Sequence, residues 1–105
     1  MRFVETATFT KEIQTLLSDE EYCALQHALL LRPKQGPLIK GSGGLRKIRW
    51  TQKGRGKRGG IRVIYYWDEA EEIFYMLFCY AKTDQDDLTP SQLKILRQIV
   101  REELK

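Results

Sequence analysis

The sequence predicts an α+β fold, an antiparallel or mixed four-stranded sheet with two N-terminal helices and one C-terminal helix. Two long apolar stretches rich in aromatic and β-branched residues, Ile61 to Trp67 and Ile73 to Tyr80, predict the central strands. They are separated by an acidic turn at 68–72, and helical patterns occur near both ends of the chain. A length of 105 residues fits one core, so we expect a single domain covering 1–105.

The N-terminal part predicts a strand and two helices. Residues 3–8 can form a short edge strand, and Thr10 to Leu17 can form a brief helix. Ser18, with Glu21 three residues later, has the pattern of a capping box and opens the second helix, which Pro33 ends. Residues at helical spacing predict its packed face: Tyr22, Leu25, Ala28 and Leu29.

The middle of the chain predicts one short strand between two loops. All eight glycines lie between Gly36 and Gly60, and the strand is Leu45 to Trp50. Alternation places Lys47 and Arg49 on the side of Leu45. The opposite side takes Arg46, Ile48 and Trp50. A side that presents Lys47 and Arg49 is suited to a charged ligand.

The C-terminal helix has a clear start and one apolar face. Thr89 is the predicted N-cap, with Pro90 at the first helical position and Gln92 at the third. An apolar stripe predicts the packed face: Leu93, Leu96, Val100 and Leu104.

Positive charge is concentrated between Lys40 and Arg62. This stretch contains nine of the chain's 18 basic residues and no acidic residue, whereas the remainder has nine basic and 14 acidic residues. Five of the nine are arginines, whose planar fork suits phosphate. A concentrated cationic surface of this kind attracts a polyanion, so we expect a nucleic acid or an acidic protein as the partner.

Several classes of function lack the residues they need. His27 is the only histidine, which excludes RNA cleavage by a histidine pair, and no Cys-x-x-Cys occurs, so we expect no metal site and no cofactor. Cys23 and Cys79 lie among hydrophobic residues and are predicted to be buried core thiols. No apolar run approaches the roughly 20 residues of a membrane helix, and Glu5 interrupts the position of a signal-peptide core. We therefore expect a cytoplasmic protein.

Four ordered features make the sequence recognisable. They are the basic strand at 44–49 (GLRKIR), the segment at 53–66 (KGRGKRGGIRVIYY), the strand containing FYML and Tyr80-Ala81-Lys82, and the capped last helix after Asp87-Leu88-Thr89. In this order they resemble the HigB-type branch of the RelE/ParE toxin superfamily.

The resemblance implies a RelE-like fold and the toxin of a type II toxin–antitoxin pair. Such toxins enter the ribosomal A site and cut mRNA without a metal, and an antitoxin, here expected to be a HigA-like helix-turn-helix protein, keeps them inactive. Carried over by position, the implied catalytic residues are Lys47, Arg49, Arg62 and Lys82. Candidates for contacting RNA or the ribosome are Arg46, Lys53, Arg55, Lys57, Arg58 and Tyr80.

RNA supplies its own nucleophile, the 2′-OH, so the protein must mainly position the phosphate and stabilise its developing charge. Arg49 and Arg62 suit the second task because a guanidinium can hold two non-bridging oxygens. Lys47 or Lys82 can act as the base only if neighbouring cations lower its pKa. RelE-type toxins have an arginine directly after the last lysine and a tyrosine a few residues later, and 83–89 contains neither. The resemblance therefore does not assign the residue that protonates the leaving group.

Three other readings remain open at the level of sequence. One is a ParE-like inhibitor of DNA gyrase, which shares the fold without the cleavage. A second is a non-enzymatic RNA- or DNA-binding module. A third is a structural domain whose basic surface only docks an acidic partner, and an antitoxin would be expected to cover the same surface.

Overall fold

The computed structural model describes residues 1–51 and 60–104, and within these ranges four strands form one mixed sheet in the order β1-β4-β3-β2. The strands are β1 (Arg2–Glu5), β2 (Arg46–Thr51), β3 (Gly60–Asp68) and β4 (Ile73–Ala81). β2, β3 and β4 form an antiparallel meander, and β1 pairs parallel with β4. The helices are α1 (Ala7–Leu16), α2 (Asp19–Leu31) and α3 (Pro90–Ile99), the last continued by a π-helical turn at Val100–Leu104. The predicted fold class is confirmed.

Side-chain caps fix where each helix begins. Ser18 with Glu21, and Thr89 with Gln92, form the predicted capping boxes. The start predicted for the first helix was wrong. α1 begins at Ala7 rather than at Thr10, because the Thr6 hydroxyl accepts the Phe9 N–H and ends the preceding strand early.

The two faces of the sheet pack against different helices. The face toward α1 and α2 contains most of the core, and the face toward α3 has a smaller cluster. The main cluster includes Phe9, Ile13, Leu25, Leu29, Ile48, Val63, Tyr65, Phe74 and Met76. The second includes Leu45, Ile64, Leu77, Tyr80, Leu96 and Val100. α3 therefore covers part of its face, and the predicted stripe on the last helix is its packed side.

The prediction of two buried thiols was wrong for one of them. Cys79 lies in the core, whereas Cys23 is exposed on α2, where its Sγ is 3.8 Å from Nε2 of the exposed His27. The hydrophobic neighbours of Cys23 in sequence turn to other sides of the helix, so they do not bury it. Burial raises the pKa of the Cys79 thiol to about 12, with Glu12 and Glu5 adding to the effect.

The segment before β2 is held against the sheet by side chains from the strands. The Tyr65 hydroxyl donates to the Pro33 carbonyl at 2.8 Å and accepts the Gly36 N–H at 3.1 Å. A Cβ at position 36 would lie 3.0 Å from the Tyr65 ring, so glycine allows this close approach. The Lys47 N–H then donates to the Pro37 carbonyl, which sets the segment along the outer edge of β2. In the described parts of the chain, no helix is long and apolar enough to cross a membrane.

Candidate functional site

The alternation of β2 sorts its cations onto two faces. Lys47 and Arg49 lie on the same side as Leu45, as predicted, and this side is the α3 face; Arg46 lies on the other. The Arg46 guanidinium donates to the carbonyls of Lys34 and Gly36, at 3.1 and 2.8 Å. Arg46 therefore ties down the segment before β2 and does not join the other predicted site residues.

Arg49 and Arg62 are brought directly opposite each other across β2 and β3. Because the Lys47 N–H points away from β3 to Pro37, the Arg49 backbone also points outward, which makes Arg49 and Arg62 a non-hydrogen-bonded pair. In such a pair the Cα atoms are about 4.5 Å apart and the side chains are at their closest. Like charges in this arrangement destabilise a sheet. An anion held between them would remove that repulsion.

Arg62 is a buried cation, with 7% of the residue exposed. Its guanidinium donates to the carbonyl of the preceding residue, Ile61, at 3.2 Å. Among residues 1–51 and 60–104, no carboxylate lies within ion-pair distance of it. Buried charges in proteins are normally paired, so this guanidinium is in the state expected of an anion-binding group.

Lys47 does have an acidic partner, which the sequence reading missed. Its Nζ is 3.2 Å from Oδ1 of Asp87, in the turn between β4 and α3. The same carboxylate oxygen accepts the Leu88 N–H, and these two hydrogen bonds, the backbone one first, lower the pKa of Asp87. Although the stretch from Lys40 to Arg62 contains no acidic residue, the fold brings Asp87 to Lys47 from outside it. An ammonium held by a carboxylate is suited to donating hydrogen bonds rather than to removing a proton.

Tyr80, on β4, is the neighbour of the arginine pair on a third strand. It is opposite Arg62 in the β3–β4 register, and its ring packs in the α3-side cluster. Its hydroxyl is buried and has no hydrogen-bond partner in the described part of the chain. Burial raises the pKa of Tyr80, Asp87 adds to the rise and Arg62 opposes it. The phenol is therefore protonated at neutral pH, with its donor unused.

The remaining predicted residues lie at the edge of this group or outside the described residues. Lys82 directly follows β4 and is exposed, and its N–H donates to the Gly60 carbonyl, which places its backbone beside the start of β3. The predicted RNA contacts in the 52–59 segment lie outside the described residues: Lys53, Arg55, Lys57 and Arg58. No group of three or more His, Cys, Asp or Glu within the described ranges is arranged to hold a metal ion.

The arrangement offers two kinds of chemistry. Arg49, Arg62 and Lys47 can donate several charge-assisted hydrogen bonds to one anion, and the Tyr80 hydroxyl can add a neutral donor.

Sequence reasoning found the cations because a strand's alternation is a local property. It could not find Asp87 as the partner of Lys47, because 40 residues separate the two and only the folded turn brings them together.

The mixed sheet, with two helices on one face and one on the other, has the fold of the RelE toxins. The fold matches that of a mutant of the E. coli toxin RelE in its free state, with a TM-score of 0.57 and 15% identity, covering 80% of this chain and 85% of that one. The family model described as the RelE toxin of the RelE / RelB toxin–antitoxin system matches residues 1–105. The chain belongs to this RelE toxin family, and membership implies a cognate antitoxin as partner.

Proposed function

We propose that this toxin inhibits translation by cutting mRNA in the ribosomal A site, through attack of the 2′-OH on the adjacent phosphate. The observation that carries the proposal is the facing pair of Arg49 and Arg62, one exposed and one buried, with no carboxylate among the described residues to neutralise Arg62. A phosphate that gains negative charge during the reaction is the ligand such a pair favours.

Each residue of the site has its own role in the proposed reaction. Arg49 and Arg62 hold the non-bridging oxygens and stabilise the phosphorane, and Lys47 and Lys82 hold the flanking backbone of the message. The Tyr80 hydroxyl, kept protonated by burial, donates a hydrogen bond to the phosphorane or to the departing 5′ oxygen. The lowered pKa of Asp87 makes it a weak base, so its part is to hold Lys47 until RNA binds.

None of these groups is a strong general base. Alignment of the 2′-OH with the phosphate must therefore supply much of the rate, and the ribosome fixes the message in the A site. We infer that free RNA is cut slowly and translated message quickly. In this proposal the toxin acts in the cytoplasm, and the partner is a HigA-like helix-turn-helix antitoxin encoded beside it.

A primer-extension assay on a translated message tests the proposal. We expect new 5′ ends within the reading frame when ribosomes are present and few without them. A message with a single 2′-deoxynucleotide at the cut position should resist cleavage there, because the nucleophile is missing. Equal cutting without ribosomes would refute the ribosome dependence. Intact message together with DNA damage and filamentation would favour the gyrase-inhibitor reading, and survival of cells expressing the chain alone would favour a binding module.

A further inference from the structure

A cleft of about 790 Å³ opens on the far side of β2 from Arg62. One wall is the segment before β2, and the other is the turn that leads into α3. The two walls carry aliphatic residues: Leu38, Ile39, Leu88 and Leu93. Its volume is within the roughly 300–1,000 Å³ range of small-ligand sites, so it is large enough for a nucleotide.

Charge lines the same cleft. Lys40, Lys47 and Arg49 contribute cations, and Asp87 contributes the one carboxylate among the described lining residues. Lys47 and Arg49 also belong to the proposed phosphate-binding group, so the cleft continues directly from it. A strand of RNA whose phosphate lies on Arg49 and Arg62 would have its neighbouring nucleotide at the mouth of the cleft.

The floor of the cleft offers hydrogen bonds at the open edge of β2. The segment before β2 occupies this edge as far as Lys47, whose N–H donates to Pro37. At Arg49 the backbone N–H and carbonyl also point outward, and no described residue bonds to them. Bases of single-stranded RNA are recognised by packing on their faces and by hydrogen bonds to their edges, and this cleft provides both.

We propose that the cleft binds one nucleotide of the message next to the cut phosphate, and that Leu38 is the main apolar contact of its base. This inference rests on the proposed function. Leu38 is 61% exposed although it is a large aliphatic residue, and its neighbours on that wall include Lys40. RNA is favoured over a peptide strand because the cations of the cleft continue those that hold the phosphate.

The first test is a titration of methyl-labelled protein with a 2′-O-methyl hexanucleotide containing all four bases, which cannot be cut. We expect saturable methyl shifts at Leu38, Ile39 and Leu88, with none at Leu31, an 83% exposed leucine at the end of α2. Leu38→Ser should weaken binding about fivefold to tenfold, the loss expected for one exposed aliphatic contact. Leu31→Ser is the matched control and should leave affinity unchanged.

Each other outcome overturns the subsite. Binding without cleft shifts, or equal affinity for Leu38→Ser, would show that RNA uses the arginines alone. Absence of RNA binding would remove the subsite, and so would cleft shifts produced only by a peptide from the antitoxin. Cleavage of translated message is measured separately. If wild-type protein cuts message but Leu38→Ser changes neither affinity nor cut positions, the subsite fails while the proposed function stands. If RNA fills the cleft but message stays intact, the proposed function fails, and with it the claim that the bound nucleotide lies next to a cut phosphate.

Discussion

Replacing Arg62 with methionine should make the protein more stable and less active. Arg62 faces Arg49 in a non-hydrogen-bonded pair, and methionine replaces the aliphatic stem of the arginine with an unbranched chain while removing the guanidinium and its charge. Two charges about 6 Å apart repel by about 3 kcal/mol at an effective dielectric constant of about 20. The exposure of Arg49 reduces this toward the 0.2–1 kcal/mol typical of cross-strand pairs. We expect a gain of about 1 kcal/mol in the free energy of unfolding, or about 4–6 °C in Tm.

A double-mutant cycle isolates the repulsion from other effects of the substitution. Arg49→Met, Arg62→Met and the double variant should give a coupling free energy of about 1 kcal/mol at low salt, with the sign of repulsion. The coupling should shrink at about 1 M salt, where the Debye length falls to about 3 Å. Arg101→Met, an exposed arginine in the π-helical turn, is the control and should show no coupling to Arg49.

The same variants test the chemistry. Loss of one charge-stabilising donor should slow message cleavage by about 10²- to 10³-fold in Arg62→Met. Zero or attractive coupling at low salt would refute the geometric argument. An Arg62→Met protein that is more stable yet cuts message at the wild-type rate would separate Arg62 from the reaction.

Three further predictions concern other groups. Tyr80→Phe should slow cleavage and leave stability unchanged or raise it by about 1 kcal/mol, because it removes a buried hydroxyl that has no hydrogen-bond partner in the described ranges. Tyr65→Phe should instead cost about 1–3 kcal/mol in a denaturant melt, since it breaks two hydrogen bonds. One thiol, that of Cys23, should react quickly with a disulfide reagent in the native protein, and that of Cys79 only on unfolding; two fast thiols would contradict the fold. The lowered pKa of Asp87 means that its ion pair contributes fully above about pH 4 and is lost as pH falls through the folded pKa. Because that side chain is 71% exposed, the loss should be at most about 0.5 kcal/mol and absent in Asp87→Asn.

Features that depend on neighbours in sequence could be predicted. The capping boxes at Ser18 and Thr89 follow from residues three positions apart, and the side of β2 that presents Lys47 and Arg49 follows from strand alternation. The meander follows from two strongly apolar strands joined by a short acidic turn. The caps join residues three positions apart, and the paired residues of the meander are at most 20 positions apart.

Features that depend on distant packing could not be predicted. The parallel pairing of β1 with β4 joins segments about 70 residues apart, and the strand pattern at 3–8 contains no sign of it. The exposure of Cys23 depends on which side of α2 meets the sheet. The partner of Lys47 depends on the turn before α3. The burial of Arg62 could not be predicted either, because a strand that begins Ile61-Arg62 is equally compatible with an arginine exposed to solvent.

Burial separates the cations of the α3 face into two groups. Arg49 and Lys82 are exposed. In the proposed function, salt would therefore screen their attraction for RNA, and they would act mainly on the approach of the strand. Arg62 lies between the α3-side cluster and the edge of the site, where fewer water molecules compete for a phosphate oxygen, so its hydrogen bonds are stronger there. Among residues 1–51 and 60–104, no carboxylate pairs with Arg62 and no acceptor bonds to the Tyr80 hydroxyl, and burial makes both costly in the free protein. The groups that destabilise the free protein are therefore the same groups that would form the strongest hydrogen bonds with a bound phosphate.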